Sequence, residues 1–375
     1  MNKKKNNNNK KKKKNKEKTE HLKKRRMEME QQHAHTGHEG MGVNCQGVAR
    51  QGEGGTLIGH VLPGVLFVVW GSWWAYNVCL RCAVMAHNKI SFQSRAWYQF
   101  PTASKGGRMV EPILKILLPL IALSMELYLD HLSEGFQYLY CPKGTKHEGE
   151  FAGDNVNNWQ HASSYPAVIT SGVVDIVSYS LVPLPAGVQR AFSALWIGIM
   201  GFLMFVHEKH EVLDKMVHWL LAVAMFIGFF FQSLEIYAPS SPVVSLGKAT
   251  STIFVGAWLI QIGRMMYTGA PQWTMSRGVG AMLAPVFFCM MFLMICVSVL
   301  VLYVVLAYFQ RRNVLPRCMI STVTDHDNEE RVLPTHVCHP HKSSIHFTEM
   351  ADMENLLPTE RSFDSDSAHH HSVSE

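Results

Sequence analysis

The sequence has no His-Glu-x-x-His, no close His-x-x-x-His and no doubled Cys-x-x-Cys spacing, so the compact zinc-site and metalloprotease signatures are excluded. Its eight cysteines are scattered and give no disulfide framework. No short apolar core with a small-residue cleavage site precedes the first long apolar stretch, so a secretory signal peptide is not expected. A mean hydropathy of only +0.02, taken as an average, leaves little room for a membrane domain. That average is diluted by two very polar tails.

Between them lie seven stretches nearly free of charge, and crossing a bilayer takes roughly 20 apolar residues per helix. They run about Ile58–Leu80, Val110–Leu129, Trp159–Leu181, Val188–Val206, Met216–Tyr237, Leu246–Tyr267 and Ala281–Phe309. In lipid the backbone must satisfy its own polar groups, so each is expected as a helix. The fold class is therefore all-α, a polytopic bundle of about seven transmembrane helices with disordered tails. Three divisions follow: 1–56, a basic Asn/Lys-rich tail; 57–310, the helical domain; and 311–375, a polar, His-rich tail turning acidic. Trp70, Trp73, Trp74 and Tyr76 in the first span suit an interfacial aromatic belt. Pro119, Pro166 and Pro285 are candidate kinks, as a transporter would use, although such kinks are common without transport.

Charge is divided unevenly. The formal net charge is +6, but Met1–Arg26 holds 14 Lys and Arg against two Glu, leaving about −6 for the rest. This stretch has almost nothing to bury, so it is expected to be disordered. Low complexity, or a true start at Met27 or Met41, outweighs attraction to anionic lipid or to nucleic acid. Arg311, Arg312 and Arg317, with Arg81, Lys89, Arg95, Lys105 and Arg108 of the first loop, favour one side by the positive-inside rule. The carboxyl tail is thus expected in the cytosol, although the distant amino-terminal Lys run opposes it.

Ionisable groups inside a bilayer are costly and normally face partners in the bundle. Here they include His60, Glu126, His161, Asp175, His207, Asp214, His218, Glu235 and Arg264. Asp214 and His218 are four apart and share a helix face. His60, His161, His207, Asp214 and His218 form the candidate metal set, since imidazole and carboxylate suit N/O coordination. A proton relay is the other chemistry they could support, and interhelical hydrogen bonding is the plain structural alternative. Glu111 and Lys115 read as a simple i,i+4 ion pair. Cys79, Cys82 and Cys318 flank spans and are palmitoylation candidates, while Cys289 and Cys296 read as small lipid- or helix-facing residues. Asp352, Leu356 and Leu357 read as an acidic dileucine sorting signal, which would engage sorting adaptors from the cytosolic side.

Several motifs together resemble the transmembrane protein 45 family, multi-pass proteins whose common domain has no assigned function. The likeness starts at Gly59-His60-Val61-Leu62-Pro63-Gly64 and continues through Asn158-Trp159-Gln160-His161 and Ser171-Gly172-Val173-Val174-Asp175. Gly201-Phe202-Leu203 with His207, Leu213-Asp214 with His218, and Ser233-Leu234-Glu235 follow in order. Gly256-Ala257-Trp258, Gln261-Ile262-Gly263 and Pro271-Gln272-Trp273 complete it. The resemblance implies seven helices, suggests Golgi or endosomal membranes, and implies no established catalytic activity. Three departures stand out: the long basic tail, Met200 where an acidic residue is common, and Lys209 in place of a second His, with His210 beside it.

The first functional expectation is a non-enzymatic protein of internal or plasma membranes, acting in trafficking, membrane organisation or scaffolding. The second is a His/carboxylate protein for metal binding, proton transfer or redox chemistry. A ligand-sensing receptor fits helix count alone. After Asp175 the chain reads Ile176-Val177-Ser178-Tyr179 instead of an Asp/Glu-Arg-Tyr triplet, and the last span has no Asn-Pro-x-x-Tyr.

Overall fold

Each of the seven apolar stretches forms helix, with lengths set by local chemistry. The computed structural model describes residues 45–47, 56–100, 107, 109–129, 136–207, 209, 211–268, 273 and 278–315. The tails' remaining residues, including Cys318, Asp352, Leu356 and Leu357, lie outside this set. The helices are α1 (Leu57–His87), α2 (Val110–Ser124), α3 (Val156–Ala162), α4 (Tyr165–Ser180), α5 (Val188–Phe205), α6 (Val212–Tyr237), α7 (Pro242–Tyr267) and α8 (Val279–Arg311). Among the described residues there is no strand, only an isolated antiparallel bridge between Tyr140 and Phe151.

Five of these helices, α1 and α5 to α8, are long and apolar enough to cross a membrane. The other two apolar stretches are shorter than expected. The second ends as α-helix at Ser124 and runs on as a π-helical turn over Met125–Leu129. The third breaks at Ser163 and Ser164, just ahead of Pro166, into α3 and α4. At 1.5 Å per residue, α2 and α4 each cover only about 22–24 Å, short of the roughly 30 Å hydrocarbon core. Both also carry buried charge, Glu111 and Lys115 on α2 and Asp175 on α4.

The core helix is α7, whose Phe254, Val255, Trp258 and Ile262 have no exposure. It lies along α1 at backbone contact, which lipid favours because packing must replace the hydrophobic effect between helices. A Cβ at Gly256 would stand 2.5 Å from the Gly64 carbonyl oxygen, and one at Gly71 would stand 2.6 Å from the Ile253 nitrogen. No larger residue fits without separating the helices. By contrast, α8 presents an unbroken apolar face, with Met282, Met290, Met294 and Leu300 each more than half exposed. A patch of this length on a soluble protein would be an association site; on a spanning helix it faces lipid. Cys289 is exposed and Cys296 half-buried on this helix, which fits their expected placement.

Two cysteine expectations change. Cys45 and Cys141 form a disulfide, so the scattered cysteines do contain a bridge. Their 96-residue separation hid the pairing, which depends on the fold. The Cys45 carbonyl also accepts from His147 N at 3.2 Å, so this piece of the amino-terminal segment is held on the loop between α2 and α3. Cys79 and Cys82 are buried within α1 against α8 and the following loop. Both thiols therefore lie inside the helix packing, where the sequence reading expected them beside a membrane surface. The expected aromatic belt also turns inward: Trp74 is buried, and the Trp73 and Trp74 indoles both donate to Glu111, at 3.2 and 2.8 Å.

Candidate functional site

Four histidines, far apart in sequence, meet at one end of the bundle. His60 lies in the first turn of α1, His161 on α3, His207 in the turn after α5, and His218 near the start of α6. Their rings form a series, with centroids 5.8 Å apart for His60 and His218, 5.6 Å for His218 and His207, and 5.2 Å for His207 and His161. Each ring is fixed through Nδ1 by an oxygen acceptor. His60 uses the carbonyl of Thr56 at 3.0 Å, the residue that also caps α1 through its hydroxyl. His161 uses Glu126 Oε1 at 2.9 Å, and His207 uses Gln160 Oε1 at 2.7 Å. His218 approaches the Asp214 carboxylate at 2.7 Å and its carbonyl at 2.9 Å.

These partners determine the proton positions. A carbonyl, an amide oxygen or a carboxylate can only accept, so a neutral ring carries its hydrogen on Nδ1 and leaves the Nε2 lone pair free. Carboxylate or carbonyl behind an imidazole is the outer-shell arrangement of metal-binding histidines. His207 Nε2 is buried without a hydrogen-bond partner. Burial lowers the His207 pKa to about 3, with the neighbouring His161 and Lys209 charges adding to the shift and Asp214 opposing it. Its ring is therefore neutral at physiological pH. A relay would have to charge this ring in passing, which works against proton transfer along the series.

The five residues expected as a metal set thus lie at one end of the bundle, the four rings in series and Asp214 against His218. Sequence reasoning left out their orienting partners. Glu126 appeared only as a buried charge, and Gln160 and Thr56 were not singled out, although Gln160 adjoins His161 within one motif. Lys209, the departure from the family pattern, lies 3.8 Å from Asp214 and brings a positive charge to the site. His210 lies outside the described residues. Among the described residues, no three His, Cys, Asp or Glu side chains already converge as a set that could hold an ion.

A second polar cluster occupies the opposite end. Lys115 pairs with Asp175 across helices at 2.6 Å, while Glu111 stands 4.0 Å away. The expected i,i+4 pair is therefore the weaker contact, because Glu111 turns to Trp73, Trp74 and the backbone N–H of Tyr98, the last at 2.9 Å. Lys248 pairs with Glu235 at 2.6 Å and donates to the Arg95 carbonyl at 2.9 Å, and Ser245 donates to Glu235 at 2.7 Å. Both ammonium groups also face the Trp74 ring, at 5.9 and 4.9 Å from its centroid. Every charge here has a charged or ring partner, as burial requires. Arg264, on α7, is partly exposed and belongs to neither pair.

Residues 186–304, from the turn before α5 into α8, match the model of a family of unknown function, DUF716. The chain is 22% identical to rat Transmembrane epididymal protein 1 over 268 residues, covering 68% of this chain and 83% of that protein. It is 27% identical to the human Transmembrane epididymal protein 1 over 111 residues, covering 29% of this chain and 41% of that protein, so the match spans less than half the human relative. Apolar helices of spanning length and transmembrane relatives together make this chain a multi-pass membrane protein.

Proposed function

We propose that this protein binds a transition-metal ion through the four-histidine cluster, with Nε2 atoms as ligands and Glu126, Gln160, Asp214 and the Thr56 carbonyl as orienting partners. The observation that carries this reading is the set of four Nδ1 anchors, which leaves every ring with a free Nε2 lone pair when neutral. Neighbouring rings stand 5.2–5.8 Å apart, near the separation of about 5 Å expected for two imidazoles on one tetrahedral zinc. Taking up an ion then requires the rings to turn toward it, and Asp214 offsets the nearby Lys209 ammonium. Full-length protein purified in detergent should carry about one zinc per chain by mass spectrometry, lost in His161→Ala and His218→Ala. Metal content that stays at background, or is untouched by either change, rules the reading out.

The disulfide supports an orientation. Disulfides persist in oxidising compartments, so the end bearing Cys45–Cys141 and the histidines would face the lumen or cell exterior. The start of α1 and the end of α8 lie on opposite sides of the bundle, which supports a cytosolic carboxyl tail, the side that the positive-inside rule also favours. On that side the signal formed by Asp352, Leu356 and Leu357 could engage adaptors, which supports a second reading: a trafficking or membrane-organising role in Golgi, endosomal or plasma membranes. Imaging a carboxyl-terminal tag under selective permeabilisation tests it. Wild-type and Leu356→Ala/Leu357→Ala proteins should distribute differently; an unchanged pattern or a lumenal tag removes it.

A further inference from the structure

We propose that a basic recess at the end of the bundle opposite the histidines binds a phosphate group, carried by an anionic lipid headgroup or free in solution. The recess has a volume of about 320 Å³ and is lined by Arg95, Gln99, Ser178, Tyr179, Gln189 and Arg190, among others. None of the described residues lining it is acidic. Two arginines, two glutamines and three hydroxyl-bearing residues, Ser94 included, therefore line one cavity. Guanidinium groups match phosphate oxygens in geometry as well as charge, and a volume near 300 Å³ suits a small polar ligand.

The walls are built before any ligand arrives. The loop after α1 is fastened at four points: Ser94 N donates to the Pro239 carbonyl at 2.8 Å, Arg190 donates to Ser94 Oγ and O at 3.2 and 2.7 Å, the Arg95 carbonyl accepts from Lys248, and Tyr98 N donates to Glu111. Trp97 meets Tyr179 edge to face, with centroids 5.8 Å apart. Among the described residues Arg190 bonds to Ser94 through Nε and one terminal nitrogen, which uses two of its five donors. Holding a guanidinium in place beforehand lowers the ordering cost of binding. If this end is cytosolic, as the proposed orientation has it, the recess faces the more anionic leaflet.

Native mass spectrometry of the delipidated full-length protein tests the site, with phosphatidylserine, phosphatidylcholine and inorganic phosphate as separate probes. Phosphatidylserine should bind at one per chain, at least about tenfold tighter than phosphatidylcholine, and weaken about tenfold in Gln189→Glu, which puts a carboxylate in the recess without touching the Arg190–Ser94 bonds. Saturable binding of inorganic phosphate, weakened equally by Gln189→Glu without a lipid preference, identifies free phosphate as the source. Arg95→Gln/Arg190→Gln, checked for its unfolding temperature, should abolish either. Absence of saturable binding, or binding unaffected by Gln189→Glu, overturns the proposal. Detergent removes sidedness from the measurement, so its failure leaves the proposed orientation intact.

Discussion

The two polar ends of the bundle solve the same problem in opposite ways. At one, four imidazoles are held by oxygen acceptors and His207 Nε2 remains unpartnered. At the other, Lys115 and Lys248 are each matched to a carboxylate at 2.6 Å, and both flank one tryptophan ring. Lone pairs left over at neutral groups are tolerable in a half-dry site and can receive a ligand. A full charge left over in lipid is costly, so each lysine is matched to a carboxylate, with Asp175 Oδ1 the oxygen left without a hydrogen bond among the described residues. The histidine cluster leaves acceptors open to a ligand; the lysine pairs hold helices together.

Breaking the lysine end should therefore have the larger effect on stability. Lys248→Met strands Glu235 in a site with almost no exposure, and such a loss costs about 3–5 kcal/mol. Unfolding in detergent should show it as a large drop in midpoint, and Lys248→Met/Glu235→Leu should recover most of the loss. His218→Ala at the other end should cost less, about 2 kcal/mol or below, because no buried charge is stranded beyond an Asp214 that Lys209 also approaches. Equal losses from both single changes would erase the distinction.

The expected effect that is smallest near neutral pH, and grows with acid, is the pH dependence itself. His207 has its pKa lowered to about 3 from 6.5 by burial. A group lowered on folding favours the unfolded state once that state begins to take the proton. Its contribution is thus fully present above about pH 6.5 and declines as pH falls toward 3. The unfolding midpoint should fall over that window in wild type and fall less steeply in His207→Gln. A steeper fall in His207→Gln would mean that the ring is charged when folded.

Much of the architecture was readable from composition, because lipid-facing helices need apolar residues all round: all seven expected stretches form helix, and five are long and apolar enough to cross a membrane. The candidate histidines were readable as well, since ionisable residues at helix ends in a bilayer are few. Their orienting groups were not. Gln160 and Thr56 are common polar residues that acquire meaning only when an imidazole is seen against them. Lys115 was assigned to Glu111 because those two are neighbours on one helix, while its stronger partner, Asp175, is 60 residues away. The Cys45–Cys141 bridge escaped for the same reason.

Sequence alone determined which five helices are long and apolar enough to cross a membrane, since that depends on local apolar length and backbone satisfaction within each helix. Tertiary structure decided which polar groups meet, where α2 and α4 stop short, and that Trp74 turns inward between two lysines instead of outward to the interface. Those outcomes depend on the crossing of helices, above all the close glycine contact of α1 with α7, and no single segment carries that information.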